Sequence, residues 1–470
     1  MKENKHMTLD TLLEDISSGI ATPESIVERC HYNYKIAINN NVMISEKYNE
    51  IYCLIKSKDS EYKLQHKGHT LYGIPVVVKD NIHVKDFSNT AGTLALSNFF
   101  PNKDAIIIEK LKSHGAIIVG KSNMHELSLG ATSHNCLFGH VKNAHNPSLI
   151  AGGSSGGSAV AVAMGLSPIA IGTDTAGSVR IPAALNGVVG FRPSLNRYST
   201  QGVTPVTPSR DVPGIIAASV KDIKIVDALL CDEKFCTTPS PSHSKRIGIV
   251  RDFFFNGVDD KILAIVQKRI DLLKENGFDF IELDFPELNE LNDIVGTVIG
   301  FYEFWPAMSN YLKNNHPETD MTKLVKLISS NSIKQLLVGF MSPDATFKID
   351  YDYYNSVMNN ERIKLIDKFS NLFIDNDIDA IAFPTTIALA AEITNNEDIA
   401  ILNRKEVSSN YAYLRNTLPA SNAGLPAITI PAGKTHDNYY VGFELNGAID
   451  NDRKLISLAE EIESFFILNE

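Results

Sequence analysis

Five cysteines in 470 residues are too few and too scattered to staple a secreted fold. Cys30, Cys53, Cys136, Cys231 and Cys236 are therefore expected as reduced thiols, with Cys231 and Cys236 the pair near enough in sequence to approach each other. Positive charge is also short. Lys and Arg number 44 against 55 Asp and Glu, a net charge of -11, and no Lys/Arg run stands out. A phosphate-binding footprint needs the opposite balance, so nucleic acid is not expected as a partner. No apolar run reaches the ~18 residues of a membrane span. The polar start MKENKHMTLD lacks the apolar segment of a signal peptide, which points to the cytoplasm. What is plentiful is apolar surface: 44% of residues are hydrophobic, enough to bury a large core.

The texture of the chain changes three times. The first 65 residues read as helices, with Thr22 as an N-cap and Pro23 at the first helical position. From residue 73, apolar runs read as strands: PVVV (75–78), AIIVG (116–120) and PIAIG (168–172). Between them, DAIIIEKLKSHG (104–115), the run from Ser158 to Met164, and SVRIPAALNG (178–187) read as helices. Strands that are apolar throughout, alternating with helices, predict an α/β fold whose central sheet is covered on both faces. Residues 251–375 are charged, aromatic and mainly helical in pattern, as in DDKILAIVQKRIDLLKENG (259–277). DAIAFPTT (379–386) and LPAITIPAG (425–433) return to strand texture. The expected organisation is a single domain over 1–470: N-terminal helices to 65, a core over 66–250, the helical region, and a return to the sheet over 376–470.

The stretch GGSSGGS (152–158) has the composition of a flexible linker, yet it leads into a small, apolar, core-like segment. A phosphate loop would need a lysine that GTDTAGS (172–178) does not have. His125, His134, His140 and His145 cluster, but HELSL (125–129) lacks the second histidine of a zinc helix, so no metal is expected. Gly152, Ser154 and Gly156 fit a nucleophile elbow; the preceding AHNPSLIA makes a poor strand, and His243, His316 and His436 are isolated. What remains is a pair of serines served by a lysine. Ser178 sits in a turn between a strand and a helix, where successive N–H groups can converge on an oxyanion. Lys79 ends the strand GIPVVV. On a solvated strand end it would do nothing; buried, it would lose its proton readily and serve as a base.

These residues, together with GIPVVVKDN (73–81), DAIIIEKLKSHGAIIVGKSNMHEL (104–127), GGSSGGSAVAVAMG (152–165), GTDTAGSVRIPAALNGVVGFRPS (172–194) and AGLPAITIPAG (423–433), resemble the amidase signature hydrolases. The resemblance implies that family's fold and a Ser–cis-Ser–Lys triad: Ser178 as nucleophile, Ser154 as the bridging serine in a cis peptide, and Lys79 as base. Ser154 rather than Ser155 is the match because the family's two serines lie as far apart as 154 and 178. The resemblance also implies an oxyanion hole from the backbone of Thr175, Ala176, Gly177 and Ser178, with Ser155 in a supporting role. It suggests Asn123, Met124 and Arg210 for the substrate pocket. Trp305, with Phe301, Tyr302 and Phe304, is a further candidate for the pocket or simply for core. Many members carry two glycines before the nucleophile, where this chain has Ala176–Gly177. The AGS form and RYSTQGVTPVTPSRDVPG (197–214) are more similar to the family's indoleacetamide and mandelamide hydrolases than to its glutamyl-tRNA amidotransferase subunits.

The implied reaction is hydrolysis of a carboxylic amide C–N bond through an acyl-Ser178, with no cofactor. The expected partner is a small-molecule amide, with no membrane, and a homodimer is compatible with the reading. Transfer of the acyl group to an amine would use the same triad, as would an amidotransferase subunit. A tether in an interaction protein would instead leave GGSSGGS exposed.

Overall fold

A computed structural model describes residues 7–57, 68–231, 244–394, 396 and 399–469. Cys236 and His243 lie outside the described residues. The chain's strands are β1 (Met43–Glu46), β2 (Pro75–Lys79), β3 (Ile117–Ser122), β4 (Ile169–Asp174), β5 (Val189–Arg192), β6 (Val212–Ala217), β7 (Arg246–Ile249), β8 (Asp279–Glu282), β9 (Ala380–Pro384), β10 (Ile399–Leu402), β11 (Lys405–Ser408), β12 (Ala427–Lys434) and β13 (Tyr440–Asn446). Among the described residues, eleven of them form one sheet in the order β1-β3-β2-β4-β6-β5-β12-β13-β9-β7-β8. Pairing is mixed: β2 runs parallel to β3 and β4, whereas β4–β6, β6–β5 and β5–β12 are antiparallel.

Side chains alternate between the two faces of a strand. In β2, β4, β5, β6 and β9 every residue is buried, so both faces of the sheet are covered there. The helix Gly156–Ala163 is almost as deep, because its small residues let it press close. At Gly157 a Cβ would stand 2.4 Å from the Asn123 carbonyl oxygen and 2.5 Å from that of Val42. One hydrophobic cluster runs from Met7 to Phe466 and so joins both ends of the chain.

Two elements depart from the expectation. The N-terminal segment is not helical throughout, since β1 pairs antiparallel with β3. The helical region also contributes β8, parallel to β7 at the sheet edge. Both strands are four residues long and no residue of either is buried, so neither leaves an apolar run to read. The remainder of that region is helical and carries its own apolar clusters, one around Phe304, Met308 and Leu324, another around Val295 and Ile299. The N-terminal cap is as expected: Thr22 and Ser25 exchange side-chain and backbone bonds at 3.0 and 3.2 Å, with Pro23 opening the helix.

Candidate active site

Lys79 is the last residue of β2, a central strand, and its side chain is buried completely. Its Nζ donates to Ser154 Oγ at 2.7 Å and to Thr173 Oγ1, on neighbouring β4, at 2.8 Å. Thr173 Oγ1 also accepts from Asn81 Nδ2 at 3.1 Å. No carboxylate is in salt-bridge contact with Lys79 among the described residues. Burial therefore lowers its pKa from the ordinary 10.5 to about 7, although Asp174 and Asp211 pull it upward from a distance. At neutral pH a large fraction of this lysine is uncharged and can accept a proton.

Ser154 is completely buried, and the Gly153–Ser154 peptide bond is cis. Its carbonyl accepts from His125 N at 3.2 Å and Ser133 Oγ at 3.3 Å. Ser155 joins this segment to the next: its N–H donates to the Ser178 carbonyl at 3.1 Å and its Oγ to the Thr173 carbonyl at 3.2 Å. Among the described residues, no hydrogen bond links the Ser154 and Ser178 hydroxyls and none engages Ser178 Oγ. In ligand-free sites such catalytic bonds are often long and tighten with substrate. Ser178 retains 6% exposure where Ser154 has none, so of the two it is the hydroxyl that a ligand can reach.

The turn before Ser178 is held through three side chains, those of Thr175, Thr417 and Asp174. Thr175 Oγ1 donates to Asp211 Oδ1 at 2.6 Å, and Thr417 Oγ1 donates to the Ala176 carbonyl at 2.6 Å. Asp174 accepts from Gly177 N at 2.8 Å, Val179 N at 3.3 Å, Arg180 Nε at 3.0 Å and Arg192 Nη1 at 3.1 Å. Burial alone would raise the Asp174 carboxyl, but the guanidinium groups of Arg180 and Arg192 hold it well below the usual range. Of the four backbone donors that the resemblance implies for an oxyanion hole, the Gly177 N–H is engaged by Asp174. The N–H groups of Thr175, Ala176 and Ser178 have no hydrogen-bond partner among the described residues.

Gly177, rather than Ala176, is the position that demands glycine. Its φ is +121°, and a Cβ would lie 2.2 Å from Thr417 Oγ1. Ala176 keeps an ordinary backbone and is partly exposed, so its methyl is tolerated. Gly177→Ala is expected to displace the turn and lower kcat by about 10²-fold with a much smaller change in KM. Steady-state kinetics on any accepted amide checks this, and an unchanged kcat would mean that the turn is not part of the machinery.

The model of the amidase family matches residues 26–456. The chain belongs to the amidase family. It is 38% identical to the mandelamide hydrolase of Pseudomonas putida over 87% of this chain and 82% of that protein. It is 36% identical to the indoleacetamide hydrolase of Agrobacterium vitis over 97% of this chain and 95% of that one. A crystal structure of an amidase superposes with a TM-score of 0.85 at 28% identity, covering 97% of this chain and 99% of that chain.

The other residues named from the sequence for the substrate pocket have these surroundings. Asn123 Nδ2 donates to the carbonyls of Asn41 and Gly139 at 2.9 and 2.8 Å, while its Oδ1 accepts from Met124 N at 2.8 Å. It braces backbone on both sides. Met124 is completely buried. Arg210 is a second brace: Nε donates to Thr207 Oγ1 and Nη1 to Asn422 Oδ1, at 2.9 and 2.8 Å. Of the aromatic set, Phe304 is core, Phe301 and Trp305 pack against that core, and Tyr302 stacks on Tyr354 at 4.1 Å.

Reading the sequence missed four groups that act on the site: Thr173, Asp174, Asp211 and Thr417. The first three lie inside segments that drew attention for other reasons, whereas Thr417 has no local signal. Among the described residues, no group of three His, Cys, Asp or Glu side chains is arranged to hold a metal. His134 and His140 stack on each other at 3.6 Å instead. No described helix is long and apolar enough to cross a membrane.

Proposed function

We propose that this amidase hydrolyses small carboxylic amides through an acyl-Ser178, with Lys79 as base and Ser154 as proton relay. The observation that carries this is the buried Lys79 Nζ, 2.7 Å from Ser154 Oγ and not neutralised by a salt bridge. Neutral Lys79 draws a proton through Ser154 as Ser178 Oγ attacks the carbonyl. The N–H groups of Thr175, Ala176 and Ser178 stabilise the oxyanion, each worth roughly 3 kcal/mol in comparable sites. The relay then protonates the leaving nitrogen, and water releases the acid by the reverse route. The relatives named above, a mandelamide hydrolase and an indoleacetamide hydrolase, support amides of arylacetic acids as the substrate class. A cytoplasmic setting belongs to the same reading, supported by free thiols at Cys30, Cys53 and Cys231.

The pH dependence tests the base. Below pH 7 the protonated lysine cannot accept a proton, so kcat/KM should fall about tenfold per pH unit there and level off above pH 8. Phenylacetamide turnover between pH 5.5 and 9 measures it, with mass spectrometry of the quenched enzyme to find the acyl group on Ser178. A flat profile, or an acyl group elsewhere, rejects the scheme.

A further inference from the structure

We propose that Glu303, on the helix Leu288–Asn315, is a positioning residue that fixes the loop of residues 204–211 and, through that loop, the oxyanion turn. The proposal rests on the reading above of the Thr175 N–H as an oxyanion donor. The loop meets the site at both of its ends. Thr204 N donates to the carbonyl of Asn81, two residues after Lys79, at 2.8 Å. At the other end Asp211 Oδ1 accepts the Thr175 hydroxyl at 2.6 Å. Asp211 is itself locked to its loop, since its Oδ2 accepts the N–H groups of Val206 and Thr207 at 2.8 and 3.0 Å. A displacement of the loop therefore reaches Thr175 and the direction of its N–H.

Between those ends the helical region holds the loop. Glu303 Oε2 accepts the Ser209 N–H at 2.9 Å, and Glu303 Oε1 accepts the Tyr354 hydroxyl at 2.7 Å. Arg362, on the helix Glu361–Asp375, donates from Nη2 to the Ser209 carbonyl at 2.6 Å. Both backbone groups of Ser209 are thus taken by side chains of that region. The Ser209 hydroxyl has no part in the contact, because its buried Oγ has no hydrogen-bond partner among the described residues. What the helical region grips is the backbone path of the loop. Charge binds the same parts together. Arg210 and Arg362 are both buried; burial disfavours their charges, and Glu303 is a carboxylate that acts on both. Glu303 makes no hydrogen bond to Lys79, Ser154, Ser178 or the turn among the described residues, so its influence on the chemistry runs through the loop.

Misplacing a catalytic group by about 1 Å can cost about 10²-fold, so a loosened loop should be read in kcat. Glu303→Gln keeps the shape and an acceptor for Ser209 but removes the charge. It should lower kcat for phenylacetamide about tenfold and change KM by less than about threefold. Thr175→Val keeps the Thr175 N–H but cuts the hydroxyl from Asp211, and should lower kcat by a similar factor. The double-mutant cycle is decisive. With Thr175→Val already present, Glu303→Gln should change kcat by less than about twofold, because the path it acts through is gone. Tyr354→Phe removes one donor from Glu303 and should lower kcat about threefold, again with no effect once Thr175→Val is present. This milder variant decides the case if Glu303→Gln does not fold. Urea denaturation of the same proteins gives the parallel cycle in stability, which needs no turnover. Losses in kcat that multiply overturn the positioning role and leave the amidase reading intact. Coupling of Glu303 with Thr175 in stability, in a wild type that turns over no amide, supports the connection through the loop and overturns the amidase reading.

Discussion

Ser178→Ala is expected to lower kcat on every accepted amide by about 10³-fold or more, with KM little changed. The argument is one of access. Of the two serines in question, Ser154 has no exposed surface and its Oγ is committed to Lys79, so a substrate carbonyl cannot reach it without rearrangement. Ser178 keeps some exposure, and its Oγ has no hydrogen-bond partner among the described residues. It follows the turn in which the N–H groups of Thr175 and Ala176 are unoccupied. Ser154→Ala breaks the relay rather than the nucleophile and should cost about 10²- to 10⁴-fold, while a slow acyl adduct on Ser178 still forms. Single-turnover kinetics with mass spectrometry of the adduct separates the two variants. Turnover by Ser178→Ala, with Ser154→Ala inert, would move the nucleophile to Ser154 and restore the elbow.

The parts of this site that could be read from the sequence are those with a local cause. Lys79 drew attention because it follows three consecutive valines, and that apolar run is what carries it into the buried centre of the sheet. GGSSGGS resembled a linker because composition does not distinguish flexible glycine from crowded glycine. Here the crowding is literal, as the carbonyls of Asn123 and Val42 at Gly157 show. The parts that could not be read depend on partners far away in sequence. Thr417 reaches Ala176 across 241 positions, and nothing around residue 417 announces it. The occupied N–H of Gly177 depends on how Asp174 is oriented, and two arginines, at 180 and 192, fix that orientation. The bracing bonds of Asn123 and Arg210 are of the same kind, since their partners lie up to 212 positions away and no local pattern announces them.

Lys79→Met is expected to abolish activity and yet to raise stability near neutral pH. The fold lowers this lysine's pKa from 10.5 to about 7, so between those values the unfolded chain binds a proton here that the folded chain does not. Stability of the wild type at this site therefore rises with pH from 7 toward 10.5, and below 7 the full penalty is present. At ~1.36 kcal/mol per pH unit, the gap corresponds to about 4–5 kcal/mol. Against this, methionine leaves Ser154 Oγ and Thr173 Oγ1 without their donor, at roughly 1 kcal/mol or more each. Thr173 keeps its bond from Asn81, which limits the loss. The net gain at pH 6 to 7 is then about 1–3 kcal/mol, and it should vanish near pH ~9 as the penalty on the wild type fades. Urea denaturation of both proteins at pH 6, 7.5 and 9 measures the difference and its slope. A variant less stable than the wild type by the same amount at all three values would mean that burial does not disfavour the charged lysine. In that case the account of why Lys79 can act as a base would fall with it. A gain that shrinks with pH would show that the fold retains, at its centre, a residue whose chemistry works against its own stability.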